Sequence, residues 1–190
     1  PDGSSILFTR RQPDSEGFLH HDLFIWTPED GESRRITHLG DVSDADPLPD
    51  GRSAIALRTR YGFSQIVTVD LATGDVQPLT EPSLDEVFAH PRVSADGNRL
   101  AYVVNGDGRW SVVVRDLRSG TDQVIRPDEE SAYAWPEWRG EEPVATMYAG
   151  GFAELVRLST DGSATPITRA PGGAMQPAPS TDGRIFFMSL

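Results

Sequence analysis

One short sentence recurs along this chain. A Pro-Asp-Gly-like turn appears at Pro1-Asp2-Gly3, Pro49-Asp50-Gly51, Ala95-Asp96-Gly97, in degenerate form at Trp138-Arg139-Gly140, and again at Thr181-Asp182-Gly183. The glycines are spaced 48, 46, 43 and 43 residues apart, and a short apolar run follows each turn. A unit of that length cannot bury its own apolar face, so each copy has to stack on the next.

The runs between the turns read as strands. Ile6-Leu7-Phe8, Ala54 to Leu57, Leu100 to Val104, Val144 to Met147 and Ile185 to Met188 are too short and too rich in β-branched and aromatic residues for helices. A second set follows at Leu23 to Trp26, Ile66 to Val69, Val112 to Val114 and Leu155 to Leu158, each closed by a turn at Gly31, Gly74, Gly120 or Gly162. A third, more polar set contains Pro78 and Pro166, which have no N–H to give a ladder and so belong at a sheet edge. A fourth set precedes each Asp-Gly turn and carries Pro47, Pro91, Pro136 and Pro177, with Ala45, Ala89, Ala134 and Met175 two positions earlier. Small residues there suit strands crowded about an axis. Four antiparallel strands per repeat, narrow inside and polar outside, are expected to pack radially as an all-β, β-propeller architecture. The repeats run at about 1–39, 40–82, 83–126, 127–169 and a partial 170–190, as one domain or a fragment of one.

These signatures in phase resemble the TolB-like propeller family, a Pro-Asp-Gly, WD-repeat-like group. The resemblance is carried by Pro47-Leu48-Pro49-Asp50-Gly51, by Pro91 through Gly97, by Val69-Asp70-Leu71-Ala72-Thr73-Gly74, and by Arg35-Ile36-Thr37 and Pro78-Leu79-Thr80. It implies a ring of six or more blades, of which about four and some fragments are written here, and a periplasmic or otherwise extracytoplasmic bacterial setting, with a cytoplasmic one as the alternative. The expected tryptophan between the two prolines is replaced by Leu48 and Val93. The chain starts inside a motif without a methionine, which reads as a piece of a longer protein.

Composition narrows the partners. A net charge of −12 and no basic stripe argue against nucleic acid and anionic membranes. All 17 basic residues are Arg, and there is no cysteine for a disulfide or a thiolate metal site. No apolar run approaches the ~20 residues of a membrane span. Asp41, Asp44 and Asp46 lack the Gly and terminal Glu of a calcium loop, and the four histidines lack zinc spacing, so neither metal nor cofactor is expected. No Gly-x-Ser-x-Gly elbow occurs, and no catalytic residue is assigned.

Recognition is expected where the loops entering the inner strand and joining the second and third strands emerge together. That face collects Phe18, His20, His21, Tyr61, Phe63, Phe88, His90, Trp110, Tyr133, Trp135, Tyr148 and Phe152, on loops read as residues 9–21, 58–65, 105–110 and 148–154. Aromatic residues with Arg are the usual anchors of protein and peptide interfaces. The candidate binding set is Asp46, Arg58, Arg60, Tyr61, Phe63, His90, Arg109, Trp110, Trp135, Phe152 and Gln176, of which Asp46, His90, Trp135 and Gln176 stand one position before the recurring proline. The competing reading has rings such as Trp110, Tyr133 and Trp135 packing between blades. The function expected is a non-catalytic module that binds a protein or peptide. The alternatives are the substrate-gating propeller of a prolyl-oligopeptidase-like serine peptidase, whose hydrolase domain lies outside this chain, and a propeller holding a small ligand or sugar in its channel.

Overall fold

A computed structural model describes residues 3–29 and 31–189; Pro1 and Asp2 of the first turn lie outside the described residues. Among those described there are no helices, and the strands form five antiparallel sheets in chain order. The first holds β1 (Ile6–Pro13), β2 (Leu19–Trp26) and β3 (Ser33–Arg35). The second holds β4 (Val42–Pro47), β5 (Ser53–Arg60), β6 (Phe63–Asp70) and β7 (Val76–Pro78). The third holds β8 (Val87–Val93), β9 (Arg99–Asn105), β10 (Trp110–Asp116) and β11 (Asp122–Ile125). The fourth holds β12 (Ser131–Arg139), β13 (Glu142–Ala149), β14 (Phe152–Leu158) and β15 (Ala164–Pro166), and the last β16 (Met175–Pro179) and β17 (Ile185–Met188). Within each sheet the order follows the sequence, so every sheet is a meander, and Pro78 and Pro166 sit on its outer edge strand.

The chain divides into two compact units, residues 1–87 and 88–190. In each, the core forms between successive sheets rather than within one. In the first unit Leu23 and Ile36 of one sheet pack with Val42, Ala54, Ala56, Val67 and Val69 of the next. In the second, Val112 and Ile125 pack with Tyr133, Ala145, Val156 and Leu158. Middle strands are therefore buried on both faces, which explains why β5, β6, β9 and β13 read as unbroken apolar runs instead of alternating ones.

The repeated motifs are hydrogen-bonding devices. Asp50, Asp96 and Asp182 each accept the backbone N–H two residues on, at 2.8, 3.1 and 3.2 Å, closing the Asp-Gly turns. Asp70 and Asp116 do the same at the far ends of β6 and β10, where Gly74 and Gly120 close the turn. The threonine two residues past each of β3, β7 and β15 serves the strand that precedes that edge strand. Thr37, Thr80 and Thr168 accept the N–H of Leu23, Ile66 and Leu155 respectively, each at 3.0 Å. The hydroxyl satisfies a buried donor where the outer strand has left the ladder.

Candidate functional site

The inner strands share a strained point. Asp44, His90, Trp135 and Gln176 all have left-handed backbones, with φ of 48°, 53°, 46° and 53°. Such a conformation costs a non-glycine residue roughly 1–2 kcal/mol, and here it recurs once in each of β4, β8, β12 and β16. The register skips at the same place, between Ser43 and Asp46, Ala134 and Glu137, and Met175 and Ala178, so the residue is the first of a two-residue bulge.

This corrects the alignment drawn from the prolines. Asp44, not Asp46, is the counterpart of His90, Trp135 and Gln176, and Ala45 occupies the site of Pro91, Pro136 and Pro177. The bulge requires a left-handed residue followed by an ordinary negative φ; proline favours the second position, but alanine adopts it freely. Pro47 belongs two residues further on, where Asp46 and Pro47 have rejoined the ladder opposite Ile55 and Ala54.

In the second unit the bulges bring aromatic rings together. Trp135 lies between His90 and Tyr148, with ring centroids 5.6 and 6.1 Å away. Beside them is an apolar cavity of about 300 Å³ lined by Ala89, His90, Val103, Trp110, Ala132, Tyr133, Ala134 and Tyr148. The alanines of β8 and β12 leave the space and the rings wall it. Burial, helped by the nearby Asp128 carboxylate, pushes the Tyr133 hydroxyl above its ordinary pKa, and burial alone does the same to Tyr148. Of the sequence candidates, His90, Trp110 and Trp135 converge here. Tyr133 and Tyr148 belong to the same face but not to the candidate binding set. Cross-strand pairing places Tyr133 opposite Met147 and Tyr148 opposite Ala132, a register that carries no sequence signal.

The remaining candidates of this unit stand apart in kind. Arg109 pairs with Asp107 at 3.2 Å, Phe152 is 67% exposed at the start of β14, and Gln176 is exposed while its N–H donates to Thr146 Oγ1 at 3.0 Å. The joining loops are shorter than the sequence suggests. Strands continue through the stretches read as loops, leaving only Tyr61-Gly62 between β5 and β6 and Gly150-Gly151 between β13 and β14, all with positive φ.

In the first unit Tyr61 is 86% exposed on its turn, with the Arg60 guanidinium 5.2 Å from its ring. Phe63 is half-buried at the start of β6. Arg58 is held by Gln65 at 2.6 Å, and Gln65 in turn donates to the carbonyl of Thr80. A second cluster on this unit has no counterpart in the motif pattern. His20 lies between Asp41 at 2.7 Å and Asp14 at 3.2 Å, and Arg60 reaches Asp41 at 3.6 Å. Hydrogen bonds to Asp41 and then Asp14 raise the His20 pKa, against the opposing pull of burial. Among the described residues no group of three His, Asp or Glu side chains could hold a metal ion.

No protein-family model matches the chain, and no curated protein matches its sequence. Solved structures do. The putative TolB from Agrobacterium tumefaciens aligns over 98% of this chain and 70% of its own, with a TM-score of 0.75 at 19% identity. TolB from Acinetobacter baumannii aligns over 96% and 45%, with a TM-score of 0.73 at 17% identity. The chain has a TolB-like β-propeller fold. The β-propeller domain of the trilobed protease from Pyrococcus furiosus is also similar, over 90% of this chain and 56% of that one, with a TM-score of 0.65 at 12% identity. The five meanders are thus whole or partial blades of a TolB-like propeller, β4, β8, β12 and β16 being the inner strands of the last four.

Proposed function

We propose that this propeller is a non-catalytic binding module whose blades receive a protein or extended peptide at their loop ends. The observation that carries the reading is the aromatic cavity walled by His90, Trp110, Tyr133 and Tyr148, an apolar recess with few polar groups at the loop end of two successive blades. Exposed aromatic residues on other hairpin tips, Tyr61 and Phe152, add large rigid contact area of the type that anchors interfaces. The TolB likeness supports a protein partner and an extracytoplasmic setting. To test it, Tyr61, Phe63 and Trp110 are replaced singly by Ala, and each variant is scored for thermal stability and for binding to an array of extended peptides. Selective loss of binding with an unchanged melt supports the reading; equal destabilisation with no selective loss overturns it.

The likeness to the trilobed protease propeller favours a second reading with equal force, in which the propeller gates substrate for a peptidase domain. Sequencing the gene beyond both ends of the chain separates the two. A downstream hydrolase domain with a Gly-x-Ser-x-Gly elbow selects gating.

A further inference from the structure

We propose that the cavity between the third and fourth blades receives the guanidinium of an arginine in the partner segment, an inference that rests on the loop-end binding reading. The cavity is lined by the rings of Trp110, Tyr133 and Tyr148, with Trp135 tilted against His90 and edge-on to Tyr148. Aromatic faces are electron-rich and attract cations, and a planar, weakly hydrated guanidinium stacks on them better than a compact ammonium.

Charge at the rim points the same way. Asp128, Glu129 and Glu130 immediately precede β12, whose Ala132, Tyr133 and Ala134 form one wall, and all three are exposed. Among the described residues none of the three is in an ion pair, and the Asp128 carboxylate acts electrostatically on Tyr133. Two cations lie on neighbouring elements. Arg109 is paired with Asp107, and Arg126 also acts on Asp107. The mouth therefore carries an excess of negative charge on a chain whose net charge is −12, while the cavity lining holds no acid to strip the water from a lysine ammonium. A cation that tolerates an apolar aromatic recess and presents its edge to rim carboxylates is the fitting occupant.

The test compares N-acetylarginine methylamide with its citrulline counterpart, which is neutral and nearly the same shape, and with the lysine and phenylalanine analogues. Binding to the unaltered chain is followed by the indole N–H resonances of Trp110 and Trp135. Arginine is expected to bind about tenfold more tightly than citrulline and to weaken with salt. A variant carrying Asp128→Asn, Glu129→Gln and Glu130→Gln should lose most of that preference, and Tyr148→Leu most of the binding. If citrulline or phenylalanine binds as tightly as arginine, the cavity is a plain apolar anchor and the inference falls while the loop-end reading stands. Peptides that bind through Tyr61 and Phe63 without moving the Trp110 resonance have the same consequence. If no probe and no peptide binds at all, both fall. The citrulline comparison needs no mutant, so a Tyr148→Leu chain that fails to fold leaves the test intact.

Discussion

The indole Nε1 of Trp138 donates a hydrogen bond to the backbone carbonyl of Arg92 at 2.9 Å, joining the inner strands of the third and fourth blades across 46 positions of sequence. The Arg92 side chain returns the tie through Nε to Glu137 at 2.8 Å, and Arg99 lies 4.7 Å from the Trp138 ring. Trp138→Phe keeps an aromatic ring and removes the donor that reaches this carbonyl. Urea unfolding should show a loss of about 1–3 kcal/mol. Trp138→Ala adds a cavity and should lose about 3–5 kcal/mol. Equal stability of the Phe variant and the parent would mean that water replaces the bond.

The three blade threonines form a graded series. Thr168 and Thr80 each satisfy one backbone N–H, whereas Thr37 satisfies Leu23 N–H and also donates to Asp22 at 2.8 Å. Thr→Val keeps the shape and removes the hydroxyl. Thr168→Val and Thr80→Val should cost about 1–2 kcal/mol and Thr37→Val more, since a buried carboxylate also loses a donor. Thermal melts of the three single variants check the ranking.

Gly74 should tolerate nothing larger. Its φ is +80°, and a Cβ there would lie 2.1 Å from the carbonyl oxygen of Ile36 in the preceding blade. Gly62, at φ +84°, has open space around it. Gly62→Ala should therefore cost only the left-handed backbone term, about 1–2 kcal/mol, and Gly74→Ala clearly more, because two backbones must separate. Similar melts for the two variants would show that the blades yield easily.

Two groups give the first unit opposite pH limbs. Burial pushes the Asp22 carboxyl up, but bonds from Gly40 N–H, Thr37, Arg35 and Leu39 N–H together outweigh it and hold it below the usual range. A depressed carboxyl stabilises above its unfolded pKa, and the contribution disappears as pH falls through the folded value. His20 is the reverse case. Its pKa is raised by Asp41 and Asp14, so its contribution is complete below the ordinary histidine value near 6.5 and lost as pH rises through the folded one. Stability curves against pH should show a shallower acid limb in Asp22→Asn, to which Asp14 and Asp70 still contribute, and a reduced neutral-to-alkaline decline in His20→Gln, and the His20 imidazole should titrate late by NMR. Retention of both features at full size in the variants would assign them elsewhere.

What is legible in the sequence depends on whether a residue acts locally. Asp50, Asp96 and Asp182 close turns on their own backbone, so the repeat, its strands and its proline-marked edges can be read directly. Glycine spacing keeps the degenerate copy in phase, and Gly140 still has a φ of 62°. Asp46 misleads because the proline marking the bulge is matched by type, whereas the bulge depends on backbone conformation, which Asp44 and Ala45 supply without a proline. Loops look long because polar strand ends carry no apolar pattern to announce that pairing continues.

Local chemistry, then, determined the module: turn carboxylates, left-handed glycines and edge prolines act within a few residues and are present in the sequence wherever they act. Tertiary structure decided which rings meet. His90, Trp135 and Tyr148 come from three strands of two blades, and Asp22, Thr37 and Gly40 converge across a loop, because stacking one sheet on another sets distances that neither segment encodes alone.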